Sequence, residues 1–370
     1  MESLGLNHLS AVFTLSSLLV GFLVILSNIL RRRDAAEISI PGCRRLGLVD
    51  ASNMSDQHAP YHSGTGATGT SDCKVKALFV YPIKSCGWVE LSESDMILTG
   101  LRYDRHFCFA QLKSEEVEKQ EADLTVGSQW THQWKFITQR QVPQLSQIST
   151  DIWLPDPSSP SYSPDAEWVK TNGCLVGRFT FTPELRFDVE GLKNAWTVLR
   201  AKLVQRSLNA EPIVTFTLPL APDAARSAKY SRDSMQIWKD NPEAVNVSTE
   251  IPPDTLAKLK YFLGLSNPLA IFQMDPLKQR KMFRNAPKAA EVGFQPEVSF
   301  ADSFPLSIMG LASVQAVSSS LSGKRDGPLN ALRFRANIYS MCSSLFSSYK
   351  AIFGSLCFRG SSAFGRAAIL

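Results

Sequence analysis

Apolar positions divide the chain into an uncharged N-terminal run, a polar stretch, and a long region of short alternating segments. Positions 9–30 carry no charged residue, and Arg31, Arg32 and Arg33 follow at once. At about 1.5 Å per residue, a helix of that length reaches roughly 33 Å, enough for a bilayer core. The start, MESLGLNHLS, contains Glu2 and no Lys or Arg. That favours a retained anchor over a cleavable signal peptide, which has a basic n-region and a shorter apolar core. The basic flank predicts a single-pass protein with its bulk facing the cytosol. Glycosylation at Asn53-Met-Ser or Asn246-Val-Ser would overturn that orientation. Residues 34–73 include HSGTGATGTSD and lack apolar periodicity, so they read as a flexible tether.

From residue 74 the signals turn to β. Residues 76–83, 104–112 and 134–139 are β-branched or aromatic runs separated by Gly, Pro and charged clusters. The run LPDPSSPSYSPD, residues 154–165, reads as an exposed loop. In EGLKNAWTVLRAKL, Leu192, Trp196, Leu199 and Leu203 share one face of a helical excursion from the β-rich unit. Pro252-Pro253-Asp254 ahead of TLAKLKYFLG marks a second helix, with Asp254 as N-cap and Gly264 as the stop after its end. PLAIFQMD predicts a strand, residues 303–321 a loop entering a helix, and LRFRANIY a further strand. The expected fold is mixed and β-dominated. Residues 1–33 form the anchor, 34–73 the tether, 74–221 a β-barrel unit, 222–339 a second unit and 340–370 a divergent tail.

Composition narrows the class. With 370 residues, 44% hydrophobic and 20% charged, the chain builds a globular body of ample core. The net charge of +5 is spread without a basic stripe, which argues against nucleic-acid binding. Cys43, Cys73, Cys86, Cys108, Cys174, Cys342 and Cys357 include no C-x-x-C pair, so neither a zinc site nor a disulfide framework is expected.

The candidate chemistry lies in two motifs. Lys84 ends KALFVYPIK, and Arg105 precedes HFCFAQL, so each cation stands at the end of a β-like run. Strand pairing that joined them with the Ser85 hydroxyl would create a site for a small, multiply charged anion. His106 should alternate to the other face of its strand. Cys86 and Cys108, beside buried strands, read as packed thiols.

Six ordered blocks, YPIKSC, GLRYDRHF, TQRQVPQLSQI, IWKDNPEAVN, RNAPKAAEVGFQPEVSFADSFPL and LRFRANI, resemble the MOSC superfamily across about residues 75–339. The resemblance is to the membrane-anchored branch typified by the mitochondrial amidoxime reducing component. It implies an N-terminal MOSC β-barrel packed on a second MOSC barrel, with a molybdenum–molybdopterin cofactor between them. It further implies reduction of small N-hydroxylated compounds with electrons from a cytochrome b5 type partner. The outer mitochondrial membrane is favoured over the endoplasmic reticulum. By the same resemblance, Lys84, Ser85, Arg105, Ser303 in the Asp302-Ser303 turn, Arg335 and Asn337 hold the cofactor. Arg suits its oxyanions bidentately, Lys supplies a point charge, and Ser and Asn give neutral bonds. Phe304-Pro305 departs from the pattern expected beside Ser303.

After Tyr339 the resemblance ends. The family continues with an acidic stretch and a molybdenum-ligating cysteine. Here SMCSSLFSSYKAIFGSLCFRGSSAFGRAAIL contains no Asp or Glu, and Cys342 and Cys357 lie outside the family pattern. The expectation is a second barrel lacking its closing strands, as in a truncated or read-through product. A cofactor-binding module without turnover, or a truncated non-functional product, is the alternative to the oxidoreductase. A pyridoxal phosphate role finds no distinctive lysine motif.

Overall fold

The structure is a computed structural model that describes residues 2–37, 39–59, 74–116, 130–283, 286–321, 327–341 and 366–368. Its centre is the strand Phe107–Glu116, which starts FCFA because both of its faces are covered. Phe107 and Phe109 join the main core with Leu78, Val80, Ile83, Leu145 and Ile271. Cys108 and Ala110 point the other way, into a second core with Met235, Ala270, Phe272 and Phe300. A period of two along one strand therefore feeds two cores.

The second core fills a closed five-stranded barrel. Its strands are Ser231–Gln236, Glu243–Asn246, Leu269–Gln273, Phe107–Glu116 and Trp130–Phe136. Neighbours run antiparallel except at the closing pair, where Met235 and Gln236 lie parallel to Trp134 and Lys135. Two of these strands precede residue 221 and three follow it, so the barrel spans the division expected there. Closure of this barrel uses no segment after Gln273.

Two further four-stranded sheets flank the barrel. One orders Cys43–Leu46, Ser149–Pro155, Cys174–Thr180 and Ile213–Pro219, all antiparallel. The other places Ile308–Gly310, Ile338–Met341, Lys74–Val80 and Val89–Leu91 side by side. In this sheet Lys74–Val80 and Ile338–Met341, far apart along the chain, are hydrogen-bonded neighbours. Within the divergent tail, Arg366–Ala368 pairs with Glu93–Ile97.

Several local expectations are modified. Cys43–Leu46, inside the expected tether, is a strand, and Met54 is buried while Lys76 pairs with Asp56 at 2.8 Å. Backbone pairing supplies there what apolar periodicity does not. The helix Val189–Gln205 forms as expected, capped by Asp188 accepting from the Gly191 N–H at 2.7 Å. Its apolar face is not core, however: Leu192, Trp196 and Leu199 are 73%, 48% and 46% exposed. The helix Pro253–Phe262 is capped by Pro252, and Asp254 sits in the first turn bonded to Lys258 at 2.7 Å. Gly264, at φ +67°, follows its end as expected. LRFRANIY splits into a tight turn, Ala331–Phe334, and the strand Ile338–Met341, because Arg335 takes a left-handed conformation at φ +54°.

At the N-terminus, Glu2–Glu37 is one helix, and Leu15–Arg32 is long and apolar enough to cross a membrane by length and composition. The four described cysteines, Cys43, Cys86, Cys108 and Cys174, are free and buried.

Gly100 packs against the loop at Pro305. Its φ of +112° suits only glycine, and a Cβ there would stand 2.1 Å from the Pro305 carbonyl oxygen. Gly100→Ala is expected to lower the free energy of unfolding by about 2 kcal/mol. Urea titration checks this, and an unchanged midpoint would contradict the packing described.

Candidate anion-binding cleft

Beyond the strand Lys74–Val80 the chain pairs with the segment before Phe107. The Arg105 N–H donates to the Tyr81 carbonyl at 2.8 Å, the Phe107 N–H to Pro82 at 2.9 Å, and the Lys84 N–H to Phe107 at 2.8 Å. The pairing is a parallel bridge between Ile83 and Phe107. Asp104 locks the junction by accepting from the Tyr81 N–H at 2.8 Å. This is the strand pairing that the two motifs called for, and it places Lys84 and Arg105 on one rim.

Each cation is held from across the molecule. Lys84 is 4% exposed, and its ammonium donates to the Phe300 carbonyl at 2.8 Å and to Asp302 at 2.6 Å. Arg280, also buried, donates to the carbonyls of Ser299 at 3.2 Å and Ala301 at 2.8 Å and pairs with Asp240 at 2.7 Å. The Ser299 hydroxyl donates to the Arg105 carbonyl at 2.9 Å. Segment 299–302 is thus clamped against both motifs. Arg105 forms an ion pair with the buried Asp104 at 2.5 Å and donates to Asn337 Oδ1 at 3.1 Å and to the Arg335 carbonyl at 3.2 Å. Arg335 donates to the Cys86 carbonyl at 2.6 Å. Both guanidinium groups stand over the Tyr81 ring, at 4.6 and 4.2 Å from its centroid.

These groups line a cleft of about 610 Å³ at the barrel rim. All six residues singled out in the sequence, Lys84, Ser85, Arg105, Ser303, Arg335 and Asn337, face it. Five of its lining residues are cations, Lys84, Arg105, Arg140, Arg333 and Arg335, against the single carboxylate of Asp302. Such a concentration of positive charge in a concave wall focuses the field on an anion. The backbone is under tension here. Of seven described non-glycine residues at positive φ, four, Ser85, Arg105, Trp238 and Arg335, line this cleft, where left-handed backbone is costly and is retained for geometry.

Electrostatics follow from burial. Burial pulls the Lys84 ammonium below the ordinary lysine value, against the opposing effect of the Asp302 carboxylate. Burial opposes ionisation of Asp302 as well, but the charge and hydrogen bond of Lys84, with Trp238 and Arg140, outweigh it and hold the carboxyl low. Burial also lowers Arg335, which keeps its charge.

The residues divide by task. Asn337 is 1% exposed, and its carbonyl accepts from Arg105 and from the Ser307 N–H at 3.1 Å each. Its amide donates to the Phe79 carbonyl at 3.1 Å. It therefore positions Arg105 and the 307 loop, rather than presenting a free amide. Arg140, Arg333 and Trp238 were not singled out, although TQRQVPQLSQI, LRFRANI and IWKDNPEAVN contain them. Trp238 donates to Asp302 at 3.2 Å and lies beneath Arg140 at 5.8 Å. Only the folded rim distinguishes these residues from ordinary surface side chains.

His106 lies off the cleft, as strand alternation implies. Its ring meets Gln273 Nε2 at 2.8 Å and the Leu220 carbonyl at 3.3 Å. Cys86 and Cys108 are fully buried, and neither lines the cleft. Burial raises the Cys86 thiol and pushes Cys108 up to about 12. Among the described residues no group of three or more His, Cys, Asp or Glu is placed to hold a metal ion.

Residues 72–161 match the family model described as the MOSC N-terminal beta barrel domain. That family is generally associated with molybdenum-cofactor binding. The match covers less than half of the chain and includes Lys84, Ser85, Arg105 and Arg140. No curated protein matches the chain.

Two outcomes test this site. Arg140→Ala and Arg333→Ala, both exposed, should weaken retention of inorganic phosphate in equilibrium dialysis while leaving stability within about 0.5 kcal/mol. Arg105→Ala should abolish retention and cost roughly 3 kcal/mol, because Asp104 is left buried without its partner. Equal stability loss in all three variants would contradict the division of roles. The second outcome concerns pH. Burial holds His106 below its ordinary value of 6.5, so the unfolded chain takes up the proton first as pH falls. The stability this group leaves intact above pH 6.5 is lost as pH drops through that value towards the folded pKa. His106→Gln should flatten that part of the stability–pH curve, and an unaltered slope would exclude His106 as its source.

Proposed function

We propose that the cleft binds the anionic, organic part of a molybdenum–molybdopterin cofactor, and that the chain is a membrane-anchored MOSC oxidoreductase that reduces small N-hydroxylated compounds. The observation that carries this reading is the cleft itself, where five cations face one carboxylate and all six expected cofactor-holding residues converge. Arg105, Arg335, Arg140 and Arg333 suit phosphate oxygens, Lys84 adds a point charge, and the Ser85 and Ser303 hydroxyls suit a pterin rim of donors and acceptors. Asn337 and Asp104 orient Arg105, and Arg280 with Lys84 holds the 299–302 segment in place. When bound, such a cofactor supplies two-electron reduction at molybdenum. A cytochrome b5 type protein is the proposed electron donor. The N-terminal helix is proposed to anchor the chain, with its bulk towards the cytosol, in the outer mitochondrial membrane in preference to the endoplasmic reticulum.

One observation favours a second reading. The family resemblance implies a cysteine ligand to molybdenum, and among the described residues no cysteine lines the cleft. Cys342 and Cys357 lie outside the described residues. Under that reading the chain holds the pterin without turnover.

Molybdenum and pterin content of the full chain in detergent, together with reduction of an amidoxime by reduced cytochrome b5, separates the readings. Stoichiometric metal and pterin with turnover is the expected result. Pterin without turnover selects the binding module, and absence of pterin overturns both.

A further inference from the structure

The helix Val189–Gln205 carries a stripe left exposed among the described residues. Val189, Leu192, Trp196 and Leu199 fall on one side at helical spacing, and all are exposed. Leu185 and Phe187 extend the patch ahead of the helix and are exposed too. The fifth position of the stripe is Leu203, and here the surface meets the N-terminal helix. Its carbonyl accepts from the Ser27 hydroxyl at 2.7 Å, and Arg206 donates to Asn28 at 2.7 Å. Ser27 and Leu30 are buried where the two helices touch.

The position of that contact sets a depth. Ser27 and Asn28 lie four to five residues before Arg32, the end of the apolar span. At about 1.5 Å per residue the junction lies roughly 6–8 Å inside that end, and amphipathic helices rest about 5–10 Å into the headgroup boundary. Charge agrees with this level. Arg186, Lys193, Arg200, Lys202 and Arg206 accompany the stripe against Asp188 and Glu190, and Arg31 and Arg32 lie on the neighbouring helix. An apolar stripe with basic flanks suits an anionic lipid surface.

We propose that Val189–Gln205, with Leu185 and Phe187, is an interfacial helix seated in the lipid surface beside the N-terminal span, so that the body is held on the membrane at two points. The proposal rests on the N-terminal helix being a membrane span and is independent of what the cleft binds. Continuity between the stripe and the span favours lipid over a soluble protein or a second copy as the occupant.

The test uses the full chain in phosphatidylcholine–phosphatidylserine vesicles whose acyl chains carry bromine near the headgroups. Tryptophan fluorescence is compared with that in unbrominated vesicles of the same composition, for the native chain and for Trp196→Phe. The chain has seven tryptophans, so the expected result is a partial drop in signal on bromination that Trp196→Phe largely removes. A chain that floats with the vesicles but shows the same drop in Trp196→Phe overturns the interfacial helix and leaves the anchor standing. A chain that does not float overturns both. Self-association that shields Trp196 from bromine also overturns the proposal, in favour of a second copy on this face.

Discussion

The buried ammonium of Lys84 ties distant parts of the chain together. A lysine buried at a strand end is tolerable only if its charge is met inside the protein, and the groups that meet it come from far along the chain. Phe300 and Asp302 lie 216 and 218 residues away. Satisfying one side chain therefore requires segment 299–302 to be folded against YPIKSC. Arg280 fastens the same segment from its other side through the Ser299 and Ala301 carbonyls. The barrel, assembled from strands on both sides of residue 221, provides the wall against which this happens.

The cleft is a consequence of that clamp. With Asp302 drawn to Lys84 and Asp104 turned inward to Arg105, the two nearby carboxylates are engaged. Arg140, Arg333 and Arg335 line the same cleft and add positive charge to its wall. Left-handed backbone at Ser85, Arg105, Trp238 and Arg335 aims this wall. Such strain persists only where surrounding contacts over-determine it, and here Tyr81, Asn337 and the Cys86 carbonyl supply those contacts.

Much of this was legible in the sequence, for identifiable reasons. Lys84 and Arg105 stand out because each interrupts a clean β pattern, and the ordered motif blocks add Ser303, Arg335 and Asn337. Less legible was what each residue does. That Asn337 spends its amide on Arg105, Ser307 and Phe79 is a matter of tertiary hydrogen bonding, invisible to local pattern. Arg140 and Arg333 look like any exposed arginine until the rim gathers them. The helix at 189–205 shows the converse failure. Its periodicity correctly implied a helix, but an amphipathic stripe does not say whether protein or lipid covers it. Cys43–Leu46 was missed because an edge strand gains its order from backbone pairing with Ser149–Pro155, and CRRL carries little apolar signal.

The central claim is that a cationic rim built from distant segments holds an anionic pterin cofactor. Native mass spectrometry of the intact chain released from detergent tests it most directly, comparing the native chain with Arg335→Met. Arg335→Met keeps an unbranched apolar side chain at this position and removes the guanidinium that stands over Tyr81 at the cleft. A mass adduct of one pterin cofactor is expected on the native chain, reduced at least tenfold in the variant while the protein remains folded. An unliganded native chain, or an adduct of equal abundance in both proteins, would contradict it.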